Sequence, residues 1–170
     1  KPALLKKIHA LKADWILVLD ADETVPTVDR EILELLTIGR ESCYFYVVNL
    51  WGDEQHYSQA LSFWNVRFYK SLPEQGTQFL KKPLHCGNAP PYFYVQKPRD
   101  AYVPHILLHR GLISPNLRVQ KQDRYAQYDP NAVHKGREYY DALKSEASGS
   151  EYNEGSVLNK IENLCNGFKK

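Results

Sequence analysis

Hydrophobic positions recur at helical spacing from the start of the chain. Leu4, Leu5, Ile8 and Leu11 share one face and Lys6, Lys7 and Lys12 the other, which predicts an amphipathic helix over residues 2–12. Residues 15–19, Trp-Ile-Leu-Val-Leu, are an unbroken apolar run ending in acids. A run this short fits a strand buried on both faces, as in the interior of a parallel sheet. Thr27 then stands as the cap of a helix over 28–36, with Asp29 and Glu31 in its first turn and Gly39 past its end. Residues 43–50, rich in β-branched and aromatic side chains, predict a second strand. The α-β-α-β order predicts an α/β fold, with a mostly parallel sheet flanked by helices.

The middle is less regular. Residues 51–63 read as a long loop carrying Asp53, Glu54 and His56. Residues 64–70 alternate, with Trp64, Val66 and Phe68 on one face and Asn65, Arg67 and Tyr69 on the other, as a strand does. Residues 71–91, with four prolines and two glycines, predict loop. Residues 92–96 and 105–109 are short strand candidates. Ser114-Pro115 predicts a helix start, with the helix running to about Tyr128, and Asp129-Pro130 repeats the signal for a helix to about Glu146. This divides the chain into a main unit over 1–146, a Ser/Gly/Glu linker over 147–156 and a C-terminal helix over 157–170. That helix has Val157, Leu158, Ile161, Leu164, Cys165 and Phe168 as its apolar positions.

Composition narrows the classes. A chain of 170 residues is one domain with room for a core that needs no disulfide staple. The net charge of +2 gives no basic field for nucleic acid. No apolar run reaches the roughly 18 residues of a membrane span, and the charged opening is not a signal peptide. Cys43, Cys86 and Cys165 are odd in number and widely spaced, which points to a reducing, cytoplasmic setting. There is no phosphate-binding glycine loop and no nucleophile-elbow motif. Methionine is absent even at position 1, so a fragment of a longer protein is expected.

The acidic turn Asp20-Ala21-Asp22-Glu23 follows the apolar run directly. In open α/β sheets ligands bind at the carboxyl ends of strands. Carboxylates crowded there repel one another, and a divalent cation with oxygen ligands relieves the repulsion. The plainer alternative is that Asp22 and Glu23 only cap the following turn.

The segment Ala13-Asp-Trp-Ile-Leu-Val-Leu-Asp-Ala-Asp-Glu23 resembles the Asp-x-Asp region of family 2 glycosyltransferases of the GT-A type. The likeness is to those that build bacterial cell-surface polysaccharide and lipopolysaccharide. In the order such enzymes show, it is followed by the 64–70 strand, the Pro83-Leu-His85 turn and the segment His109-Arg-Gly-Leu-Ile-Ser-Pro-Asn-Leu-Arg118 with Lys121 and Arg124-Tyr125. The resemblance spans roughly residues 1–145. It implies inverting transfer of a sugar from a nucleotide-sugar donor to a glycan or lipid-linked acceptor, at a cytoplasmic site that includes the inner membrane surface. It also implies a strand-containing segment ahead of residue 1 that holds the nucleoside. Asp20-Ala-Asp22-Glu-Thr24-Val25 also fits the first motif of haloacid dehalogenase-like phosphohydrolases. There Asp20 is the nucleophile and Asp22 the general acid/base, with magnesium as clamp. The later strands lack the other motifs of that family. A non-catalytic glycosyltransferase-like binding module is a third reading.

Within the glycosyltransferase reading, Asp20, Asp22 and His109 are the expected ligands of a divalent metal, Mn2+ or Mg2+; the imidazole favours manganese. His105, on the same strand face, competes with His109, and either can be a buried structural histidine. Asp20, Asp22, Arg67, Arg118 and Lys121 are the expected donor contacts. Arg118, Lys121 and Arg124 make a cationic strip that faces a diphosphate, anionic lipid or solvent. The general base is expected in the loop carrying Asp53, with Glu54 as its rival.

Overall fold

The computed structural model describes residues 2–26, 29–73, 87–96, 100–133, 135–144 and 149–167. Along these the elements are α1 (Pro2–Ala10), β1 (Trp15–Leu17), β2 (Glu23–Thr24), α2 (Arg30–Thr37), β3 (Ser42–Leu50) and β4 (His56–Lys70). Then come α3 (Pro91–Val95), β5 (Asp100–His109), α4 (Pro115–Tyr128), α5 (Gly136–Ala142), β6 (Ser150–Glu151) and α6 (Glu154–Gly167). The strands form one sheet in the order β1-β4-β3-β5-β2, with β6 also paired to β4. The fold is α/β, but the sheet is mixed. Only β3 and β5 pair in parallel; the other described pairings are antiparallel. This corrects the expectation of a mostly parallel sheet. The connection between β3 and β4 is of hairpin length, which forces an antiparallel neighbour.

The apolar run 15–19 is not an interior strand. β1 stands at one end of the strand order, antiparallel to β4. Ile16 is buried, while Leu17 and Leu19 are 38% and 42% exposed. The centre of the sheet is β3, buried along its whole length. Its two faces build two layers of core. Tyr46, Val48 and Leu50 meet Ile106, Leu108, Val157 and Ile161 under α6, and Tyr44 joins Leu5 and Phe93 under α1 and α3. On the other face Cys43, Phe45 and Val47 pack with Leu33 of α2 and Leu107.

Other boundaries differ for local reasons. α2 is capped by Asp29, whose carboxylate accepts from the backbone N–H groups of Glu31 and Ile32; Thr27 lies outside the described residues. β4 begins at His56, well inside the expected loop. Its pairing with β3 slips between Val47 and Asn49, which hides the alternation. Residues 92–96 are not a strand. Pro91 at the first helical position starts α3, which turns Phe93 against Tyr69. The second helix after Asp129 shrinks to α5. Part of the linker is structured, because Ser150 and Glu151 pair with Tyr57 and His56. α6 then starts at Glu154, with Val157 and Ile161 buried; the side chains of Cys165 and Phe168 lie outside the described residues.

Candidate functional site

The turn after β1 is closed on itself. The Glu23 backbone N–H donates to the Asp20 carbonyl at 3.0 Å, and the Asp20 N–H donates to Glu23 Oε2 at 2.8 Å. Glu23 is therefore a capping acid of the turn, whereas the Asp22 carboxylate lies against His109. β2 carries the turn to the end of β5, where Glu23 pairs with His109 and the Arg110 N–H donates to the Asp22 carbonyl at 2.8 Å.

A β-bulge delivers the cation of the site. Cys43 pairs with Phe68 and Tyr44 with Val66, so Arg67 is the extra residue of β4. Bulges re-aim side chains in this way. The Arg67 guanidinium is buried, paired with the equally buried Glu23 carboxylate, and reaches Asp20 Oδ2 at 3.4 Å. Asn88 donates to the same Asp20 oxygen at 3.0 Å. Burial outweighs Arg67 and lifts the Glu23 pKa above its ordinary value.

His109 ends β5 beside Asn49 of β3, its partner in the parallel ladder. Its Nδ1 lies 2.6 Å from Asn49 Oδ1 and its Nε2 lies 3.2 Å from Asp22 Oδ2. Burial, seconded by the charge of Lys121, holds the imidazole down at a pKa of about 4, against the pull of Asp22. Burial likewise lowers Lys121. Asp20, Glu23, Arg67, Asn88, His109 and Lys121 line one cavity of about 440 Å³, which Phe63, Trp64 and Tyr139 also line.

Asp20, Arg67, His109 and Lys121, all singled out by the sequence, are thus gathered at one cavity, with Asp22 against His109. Asp20 is not brought into a three-ligand set with Asp22 and His109, because Arg67 and Asn88 take its carboxylate. No group of three or more His, Cys, Asp or Glu residues suited to a metal occurs among the described residues. The pair Asp22–His109 fits two adjacent corners of an octahedral cation. Bonds of about 2.1 Å place neighbouring ligands about 3 Å apart. Hard cations at phosphate sites often take only one or two protein ligands and complete their shell with phosphate oxygens and water.

Arg118 does not line the cavity. It donates to the Leu112 and Ile113 carbonyls at 3.0 and 3.2 Å and lies over the Trp51 ring, a contact that braces α4. His105 faces Phe45 and its own strand. Asp53 and Glu54 are exposed on the β3–β4 turn and do not line the cavity. Asp53 accepts from His56 and Gln55, which lowers its pKa, and Glu54 pairs with Arg110. The Pro83-Leu-His85 turn lies outside the described residues. Asn49 and Asn88 were not anticipated. A single amide within the otherwise apolar and aromatic stretch 43–50 was the available signal for the first; nothing in the sequence marked the second.

No protein-family model, curated protein or solved structure matches the chain. Among the described residues, no helix is long and apolar enough to cross a membrane.

Proposed function

We propose that the chain is the metal-dependent catalytic portion of an inverting, family 2-like glycosyltransferase. It would move a sugar from a nucleotide-sugar donor to a glycan or lipid-linked acceptor. The observation that carries this reading is the Asp22–His109 pair at 3.2 Å, set at strand ends beside a cavity that also presents Arg67 and Lys121. An acid–imidazole pair next to two cationic side chains suits a cation-bound diphosphate. A metal held by Asp22 and His109 would neutralise the charge that develops on the departing nucleoside diphosphate. Lys121 would meet a phosphate oxygen as a point charge. Arg67, committed to Glu23 and Asp20, would orient the acidic turn. The reading concerns the donor side. Asp53 and Glu54 stand off the cavity wall, and neither is assigned the base.

The test is thermal stabilisation of the full chain by a panel of nucleoside diphosphates and nucleotide sugars, each with and without Mn2+. One nucleotide should raise the melting temperature only when Mn2+ is present, and Asp22→Asn should abolish that gain. Absence of any Mn2+-dependent nucleotide response would overturn the reading. Phosphate release from a generic phosphomonoester, lost on Asp20→Asn, would replace it with the phosphohydrolase.

A further inference from the structure

The His109 ring is held by a relay that fixes which nitrogen carries hydrogen. Asn49 Nδ2 donates to the Leu61 carbonyl at 2.6 Å, so its amide oxygen must be the atom facing His109 Nδ1, also at 2.6 Å. A flipped amide would set two carbonyl oxygens against each other. Nδ1 is then the protonated nitrogen, and in the neutral ring Nε2 presents a lone pair to Asp22 Oδ2. Two acceptors 3.2 Å apart are held together by a positive centre that both can share, a proton or, in its place, a metal cation.

The floor of that gap is Gly111. A Cβ built on Gly111 would fall 2.7 Å from His109 Nε2 and 2.9 Å from its Cε1, and closer still to Asp22 Oδ2. The Gly111 backbone is outside the left-handed region, so its conformation does not call for glycine. Space alone excludes a side chain there. Asn49 anchors the His109 ring, so a Cβ at residue 111 would be accommodated by the half-exposed Asp22 carboxylate swinging away, which parts the pair at little cost to the fold.

The structure assigns Gly111 and Asn49 as positioning residues for a divalent cation: Gly111, by lacking a Cβ, lets the Asp22 carboxylate and the His109 ring close to 3.2 Å, and Asn49 orients the ring by accepting from Nδ1. This deepens the metal reading above and rests on it. Partners behind a metal-bound histidine typically matter about 10–100-fold in affinity.

The experiment measures Mn2+ binding to the full chain, by the loss of the free-ion paramagnetic resonance signal, with and without a nucleoside diphosphate. The nitrogen-15 imidazole spectrum of His109 at neutral pH, with and without Cd2+, reports the tautomer. The unmodified protein should bind Mn2+ and Asp22→Asn should not. Gly111→Ala should bind at least about tenfold more weakly with its metal-free unfolding midpoint unchanged. Asn49→Leu should lose about 10–100-fold. In the spectrum Nδ1 should keep its hydrogen and Nε2 should be the nitrogen that shifts with Cd2+. If Gly111→Ala binds like the unmodified protein while Asp22→Asn does not, the metal reading stands and the role of Gly111 falls. Unchanged binding in Asn49→Leu removes Asn49 in the same way. If the unmodified protein binds no Mn2+ under either condition, both readings fall. Should Gly111→Ala not fold, the spectrum of the unmodified protein decides: a Cd2+ shift at Nδ1, or none at Nε2, overturns the assignment.

Discussion

Replacing Arg67 with methionine should unfold the site from within. The Arg67 and Glu23 side chains are 3% and 1% exposed and are paired with each other. Methionine fills part of the volume but leaves Glu23 as a buried carboxylate held by the Asp20 backbone N–H. Breaking a buried pair from one side costs about 3–5 kcal/mol. For a chain of this size that is a fall of roughly 6–20 °C in melting temperature. The double variant Arg67→Met/Glu23→Gln removes the stranded charge and should recover about 1–3 kcal/mol. Burial already raises the Glu23 pKa above the ordinary 4.5, and Arg67 pulls against it, so without Arg67 it rises further. A carboxyl with a raised folded pKa favours the folded state at low pH and loses that contribution as pH climbs through the folded value. The gap between the single and double variants should therefore be widest at neutral pH and close as pH falls towards about 4.5. Urea unfolding followed by tryptophan fluorescence, with EDTA present, measures both. A single variant within about 1 kcal/mol of the unmodified protein, or a gap that ignores pH, would refute the argument.

Two further outcomes follow from packing. Ile161→Ala should cost about 2–5 kcal/mol, because Ile161 is fully buried against Ile106 and Leu108, whereas Leu164→Ala, at a 43% exposed position of the same helix, should stay within about 0.5 kcal/mol. Denaturant titration of the pair separates a docked α6 from a loosely attached one. Gly149→Ala should release β6, since its Cβ would come 2.8 Å from the Tyr57 carbonyl oxygen and 3.0 Å from the Tyr57 nitrogen, both backbone atoms. Faster amide exchange at Tyr152, whose N–H bonds to the Gln55 carbonyl beside that pairing, would show it, and unchanged exchange would count against it.

How much was readable beforehand depended on whether one residue type had one explanation. Pro115 after Ser114 marked a helix start, and α4 runs from Pro115 to Tyr128 as expected, although the Ser114 side chain makes no capping bond. The run Trp15 to Leu19 had two explanations, because apolar residues fill both an interior strand and an end strand with exposed leucines. Sequence alone does not weigh them. The β4 pattern was obscured by its own irregularities, and one of these, the bulge at Arg67, is what serves the site. Asp20, Asp22, Arg67, His109 and Lys121 were legible from residue type and order. Their partners were not. The Arg67–Glu23 pair joins positions that only the fold brings together, and Arg118 turned inward because Trp51 and two carbonyls were waiting for it.

Asn49 and His109 are 60 positions apart, and Asp22 lies farther back along the chain. Closing a loop of that length costs about 3–4 kcal/mol of chain entropy before any contact repays it. Pairing at such a distance is slow, so the parallel β3–β5 ladder should be a late event in folding. A chain emerging from the ribosome carries the acidic turn long before it carries the imidazole. The turn on its own, or in a partly folded chain, has no imidazole beside it. On the proposed metal reading, cation uptake would therefore count finished molecules rather than synthesised ones, and added metal would act on the last step of folding, not the first.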